Sequence, residues 1–188
     1  RNPIYFVLDN VLDTYNIGSI FRLADAVAAE KVFLCGQTLT PPNHRIKKAS
    51  INTWNWVNWE YAETAVEAIK KLQSCHSEGL DCHSERSEES LGLSKQNARI
   101  RGRSFANAQD DKVKIIVVEQ DRRSIPYTEM KVDFPVAIIV GNETYGVSKE
   151  ALKMADQIVE IPMFGVNKSL NVMVSLGIIL FKIMERKI

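Results

Sequence analysis

Three short stretches, far apart in the chain, carry residue types that could do chemistry together. The first is Asn16-Ile17-Gly18-Ser19-Ile20-Phe21-Arg22. Gly18 has no side chain and admits close approach of a backbone or a ligand. Arg22 reads either as a surface arginine on an amphipathic helix or as a fixed cation for a phosphate or an oxyanion. The second stretch is Val140-Gly141-Asn142-Glu143-Thr144-Tyr145-Gly146-Val147-Ser148. Its two glycines frame a tight loop after a very apolar run, at the strand end where α/β sheets bind ligands. It is not a P-loop, because Val-Ser-Lys follows Gly146 where a P-loop has Lys-Ser/Thr. Glu143 either anchors that loop by accepting backbone N–H groups or lines a site. The third is Ile161-Pro162-Met163-Phe164-Gly165-Val166-Asn167-Lys168-Ser169-Leu170-Asn171-Val172. Here a Pro/Gly loop opens into a long helix, whose first amides suit an anion or a polar ligand edge. Taken singly, Ser169 reads as a helix cap and Asn171 as a polar first-turn residue.

Positioning such loops takes strands and helices in alternation, and the chain has them. Ile4–Leu8, Lys31–Cys35, Val113–Val118, Val136–Val140 and Gln157–Ile161 are short apolar runs suited to strands buried on both faces of a parallel sheet. Ile17–Ala29 and Glu60–Leu72 repeat apolar residues at helical spacing, with Asn16 as the expected cap of the first. Ser148–Met154 is expected as a short helix capped by Ser148, and Ser169–Arg186 as a long one capped by Ser169. This alternation predicts an α/β layered domain.

The 188 residues amount to one domain with a real core. Lys+Arg 24 against Asp+Glu 23 excludes a uniformly basic coat for nucleic acid but leaves room for a local basic patch. The longest apolar run, Val172–Ile183, is shorter than the roughly 20 residues of a membrane span. The first residues have no signal-peptide layout, and the absence of Met suggests a longer native N-terminus. The 3 cysteines are too few and too scattered for a disulfide framework, so a reducing cytoplasm is expected.

One segment does not fit the alternation. From about 74 to 111 the chain is polar, repeats Cys-His-Ser-Glu at 75–78 and 82–85, and has no sustained apolar period. A structureless connection that long is improbable in a compact domain. It reads as a disordered in-frame insertion, similar to translated bacterial repeat elements, within a single domain spanning 1–188. Loop-closure entropy rises slowly with length, so the fold can tolerate it. Cys75, His76, Cys82 and His83 do not match the spacing of a zinc finger, and no metal is expected.

The three stretches, in this order, resemble the signatures of the SPOUT superfamily, specifically the SpoU/TrmH-like RNA 2′-O-ribose methyltransferases. Those signatures read approximately N-x-G-x-x-x-R, G-x-E-x-x-G, and I-P-M-x-G followed by S-L-N-V. They match Asn16–Arg22, Gly141–Gly146 and Ile161–Val172. Pro42–Ser50 is also similar to the family's middle segment. The resemblance implies a mostly parallel sheet flanked by helices, with a C-terminal trefoil knot. It implies S-adenosylmethionine as cofactor, held by Val140, Gly141, Asn142, Gly146, Ile161, Pro162, Met163, Ser169 and Leu170. It implies a homodimer whose active sites draw on both subunits, with Arg22, Asn16, Glu143, Ser169 and Asn171 as catalytic candidates. The reaction would be methyl transfer to a ribose 2′-hydroxyl, of tRNA in the first place since no extra RNA-binding domain is evident, with rRNA as the alternative substrate. A non-catalytic RNA-binding dimer of the same fold is the alternative outside enzymology.

An RNA substrate needs cations. His44, Arg45, Lys47 and Lys48 cluster in a Pro-containing loop and are the candidate phosphate contacts, unless they form only a solvated charged face. Trp54, Trp56 and Trp59 could stack on bases or could belong to the core.

Overall fold

The computed structural model describes residues 1–77 and 112–185. In chain order its elements are β1 (Asn2–Asp9), α1 (Thr14–Ala26), β2 (Ala29–Cys35), α2 (His44–Ser50), β3 (Trp59–Ala62) and α3 (Ala65–Ser77). After the undescribed stretch come β4 (Lys114–Val118), β5 (Ile125–Pro126), β6 (Val136–Gly141), α4 (Lys149–Lys153), β7 (Gln157–Glu160) and α5 (Val172–Met184). The strands form one sheet in the order β3-β2-β1-β6-β4-β7-β5, and every pairing is parallel. This is the mostly parallel α/β sheet expected from the alternation.

Side chains in a strand alternate between faces, so a strand buried on both sides feeds two cores. β1 does this: Ile4, Phe6 and Leu8 join one cluster, Tyr5 and Val7 the other. The first cluster packs under α1 and α5 through Ile17, Ile20, Phe21, Leu176, Ile179, Leu180 and Ile183. The second packs under α3 and α4 through Ala65, Ala68, Ile69, Leu72 and Ala151. Cys35, at the end of β2, is fully buried; burial, reinforced by the Asp9 charge, pushes its thiol up to about 12. It is a packing residue, not a reactive one.

Several local expectations need correction. Asn16 does not cap α1. The helix starts earlier, and Asp13 caps it by accepting the Tyr15 N–H at 2.8 Å. Apolar periodicity fixes the buried face of a helix but not which polar residue opens its first turn. Glu60–Leu72 is not one helix: Trp59–Ala62 first pairs with β2, and α3 starts at Ala65. Thr64 accepts the Glu67 N–H at 3.1 Å, which marks the helix start. Ser148 stands at the start of α4 but makes no side-chain cap. Ser169 does not cap α5, because the helix begins at Val172 and Asn171 caps it. Pro42–Ser50 is not all loop: Asn43 accepts the N–H groups of Arg45 and Ile46 and starts α2.

Helix α3 continues to Ser77, past residue 74 where the polar insertion was expected to begin. The rest of that insertion, with Cys82 and His83, lies outside the described residues, as do Arg186 and Lys187.

Candidate active site

The carboxyl ends of β1, β6 and β4 lie side by side, and the chain leaves this region in opposite directions along the sheet. That is a topological switch point, where open α/β sheets leave a crevice. A cleft of roughly 260 Å³ opens there. Val140, Gly141, Asn142 and Gly146 line it from the loop after β6. Ile161, Met163, Ser169 and Leu170 line it from the segment after β7. Eight of the nine residues expected to hold a cofactor are thus brought together, and Pro162 alone is not among the lining residues.

The loop after β6 is shaped by its glycines. Asn142 and Gly146 exchange backbone hydrogen bonds of 3.0 and 2.9 Å, closing a tight hairpin. A Cβ on Gly141 would collide with the backbone of Gly146 and Val147. Gly146 has φ +70°, and its Cβ would collide with the Glu119 carboxylate. The Asn142 side chain accepts the N–H groups of Thr144 and Tyr145 and donates to the Asn10 carbonyl. Buried Asp9, at the end of β1, accepts the Ser148 N–H at 2.8 Å and so fixes the far end of the loop.

Glu143 leaves this loop toward α1. Its carboxylate accepts the N–H groups of Leu12 at 3.1 Å and Asp13 at 3.2 Å, and the Asn16 amide at 3.1 Å. Partial burial works to raise its pKa. The bonds from Asn16, Leu12, its own N–H and Asp13 outweigh that and hold the carboxyl below its usual value. A negative group also suits the positive end of α1. Asn16 is buried, and its oxygen accepts the Asn171 amide at 2.9 Å. Asn171 in turn accepts the N–H groups of Met173 and Val174 as the cap of α5. Glu143, Asn16 and Asn171 therefore form one chain of hydrogen bonds linking all three motifs.

The remaining candidates lie outside that chain. Ser169 is exposed and lines the cleft. Arg22 is exposed on α1 and is not among the lining residues. Gly18 serves a close approach of backbone: α2 lies so near that a Cβ at 18 would stand 2.6 Å from Ala49 Cβ and 2.8 Å from the Ile46 carbonyl. Arg22 is one turn beyond Gly18 on the same face. His44, Arg45, Lys47 and Lys48 are all exposed on α2, so that helix carries three cations and a histidine toward solvent. Trp54 and Trp59 pack against the core. Trp56 is half exposed and donates to Asp25 at 2.7 Å.

Sequence reasoning missed the floor of the cleft. Val118, Glu119 and Gln120, at the end of β4, line it between the two loops. Glu119 accepts the Val147 N–H at 2.9 Å, and the Gln120 amide donates to the Lys168 carbonyl. The available signal was a polar pair closing the apolar run of β4, at a strand end where ligands bind.

The model of the SpoU rRNA Methylase family matches residues 3–100 and 90–181. The chain belongs to this family. The match divides within the polar segment, whereas all three motifs fall inside it. Among curated relatives, the chain is 26% identical over 182 residues to the tRNA (guanosine(18)-2′-O)-methyltransferase of Aquifex aeolicus, covering 95% of this chain and 67% of that one. It is 30% identical over 183 residues to the enzyme of the same name from Escherichia coli, covering 96% and 62%. It is 24% identical to the 23S rRNA (guanosine-2′-O-)-methyltransferase RlmB of Haemophilus influenzae, covering 100% and 62%. The chain thus spans about two thirds of the length of these relatives. Its fold resembles that of the SpoU methyltransferase AviRb from Streptomyces viridochromogenes, solved in complex with AdoMet, with a TM-score of 0.76 at 18% identity over 100% of this chain and 62% of that one. The A. aeolicus TrmH/SpoU tRNA modifying enzyme superposes with a TM-score of 0.69 at 23% identity, over 100% and 78%.

Proposed function

We propose that the chain is an S-adenosylmethionine-dependent RNA methyltransferase that modifies a ribose 2′-hydroxyl, with tRNA as substrate. The observation that carries this reading is the hydrogen-bonded chain Glu143–Asn16–Asn171, which ties all three family motifs around one cleft. The names of the relatives from A. aeolicus and E. coli support tRNA over rRNA.

The residues of the cleft fit the donor. Apolar Val118, Val140, Val159, Ile161 and Leu170 offer a slot for a flat base. Three carboxylates, Glu119, Glu143 and Glu160, line the cleft, and among the described residues no Lys, Arg or His does, which suits a ligand carrying positive charge. Gly141 and Gly146, without side chains, keep the wall of the cleft thin where they line it. When bound, S-adenosylmethionine supplies an electrophilic methyl group on a cationic sulfur. The difficulty lies in the weak nucleophile, so the chain's residues must orient the hydroxyl and stabilise negative charge on its oxygen. Arg22 takes that role; a guanidinium stays protonated and acts as an electrostatic clamp rather than a proton acceptor. The proton leaves to a neighbouring phosphate or to water. Ser169, exposed at the cleft, takes the part of contacting the ribose or the Arg22 of a second copy, while Glu143, Asn16 and Asn171 hold the frame.

Arg22 stands outside the cleft of its own chain, as a site completed by a second copy requires. We therefore include a homodimer in the proposal. Val174, Ile178 and Phe181 recur at i, i+4 and i+7 on α5, with Val174 39% and Phe181 54% exposed, and Tyr15 of α1 is also exposed. Threading of the C-terminal segment through a trefoil knot belongs to the same proposal, on the strength of the family resemblance. So does a cytoplasmic location, where RNA substrates are found; no helix among the described residues is long and apolar enough to cross a membrane. The test is to incubate the protein with methyl-labelled donor and either tRNA or rRNA, and to analyse the nucleosides by mass spectrometry. A 2′-O-methylnucleoside in tRNA is expected. Methylation of a base, or of neither RNA, would overturn the reading.

A further inference from the structure

We infer that Glu119 is a specificity-determining residue of the cleft, where its carboxylate accepts a hydrogen bond from a ribose hydroxyl of the donor's nucleoside. The inference rests on the reading of the cleft as an S-adenosylmethionine site. Glu119 directly follows β4, which lies between β6 and β7, the two strands whose loops form the cleft walls. Its Oε2 accepts the Val147 N–H at 2.9 Å and its Oε1 accepts the Gln120 N–H at 3.0 Å. A carboxylate has about four acceptor sites, so these two bonds leave acceptor capacity on a side chain that lines the cleft. The group is also held in place: Gly146 packs so tightly on it that a Cβ at 146 would strike Oε2. A prearranged acceptor binds without the cost of ordering it.

Glu119 is set apart from the other carboxylates of the cleft by its position at the end of β4, between the strands that carry the two walls. Both oxygens of Glu143 accept from the start of α1. The Asn142 amide is used at both ends, the Gln120 amide donates to Lys168, and Glu160 accepts from Ser124 at 2.7 Å. The ribose of an adenosyl group brings two vicinal hydroxyl donors. In other open α/β sheets an acidic side chain meets such hydroxyls in the crevice at the strand ends. Val118, Val140 and Ile161 beside Glu119 leave apolar surface for the attached base.

The experiment is calorimetric titration of the purified protein with S-adenosylhomocysteine and with its 2′-deoxy and 3′-deoxy analogues. Wild type, Glu119→Ala and Glu119→Gln are compared. In the wild type, loss of at least one hydroxyl is expected to weaken binding about tenfold or more, as for a hydrogen bond to a charged group. In Glu119→Ala the same deletion should change affinity by less than about twofold, with Glu119→Gln in between. Each comparison is between ligands on one protein, so a general loss of folded protein cancels. Deoxy analogues binding the wild type as tightly as the parent would overturn the inference. So would a hydroxyl deletion that costs as much in Glu119→Ala as in the wild type. Wild type that fails to bind S-adenosylhomocysteine at all would remove the donor reading itself, and the inference with it.

Discussion

A carboxylate that gathers two backbone N–H groups and one side-chain amide must stay ionised to do so. Glu143 is in that position, and its carboxyl is held below its usual value. A group with a depressed folded-state pKa contributes stability above its unfolded value, about 4.3. That contribution is lost as pH falls through the lower folded value. The stability difference between wild type and Glu143→Gln is therefore expected to be constant above about pH 5 and to shrink in acid. Denaturant titrations across pH 3–7 check this; a difference that grows in acid would contradict it. Arg22 has no such structural duty, since no hydrogen bond or ion pair holds it among the described residues. Arg22→Ala is expected to keep donor affinity and to lose about 10²–10³ in turnover, the usual effect of removing one oxyanion donor. Steady-state kinetics beside donor titration separate the two effects. At this scale the sequence was legible where a motif named a residue type. It was not legible where one residue did the work expected of another. Asn16 and Ser169 both looked like caps, yet Asp13 and Asn171 cap the helices, because the choice depends on where the incoming loop places each backbone N–H.

Elements decide how the cations reach the site. Gly18 lets α2 lie against α1, and α2 exposes His44, Arg45, Lys47 and Lys48 to solvent. Gly18→Ala should cost about 1–3 kcal/mol through overpacking against backbone. A lowered denaturation midpoint measures it; unchanged stability would mean that α2 does not sit where described. Reversing charge at Arg45, Lys47 and Lys48 should weaken RNA binding and leave donor affinity intact. The slope of log affinity against log salt should become shallower by about 0.7–0.9 per lost phosphate contact. An unaltered slope would show that α2 is only a solvated face. The apolar runs announced five strands of the sheet within a residue or two. β3 and β5 escaped notice because they are short edge strands that need a neighbour to exist. The short helix α2 was hidden behind its prolines, and only the Asn43 cap betrays it.

At the scale of the molecule, α5 is apolar on more sides than its own core can bury. Its inner residues Leu176, Ile179, Leu180 and Ile183 are buried, while Phe181 remains 54% exposed. Phe181→Asp is expected to convert a dimer to a monomer in sedimentation velocity, and to abolish transfer without abolishing donor binding. A monomeric wild type would contradict this. The sheet follows from the sequence; its strand order does not, because periodicity says which face is buried and not which strand is next. Convergence of the motifs was readable only by resemblance, since nothing local in Asn16, Glu143 or Asn171 announces contacts across 127 and 155 positions. The most direct measurement of the whole account is a crystal structure of the protein with S-adenosylmethionine. The donor is expected between the Gly141–Gly146 loop and the Ile161–Leu170 segment, with Arg22 from a second copy facing its methyl group. A donor bound elsewhere, or a cleft that no arginine approaches, would contradict it.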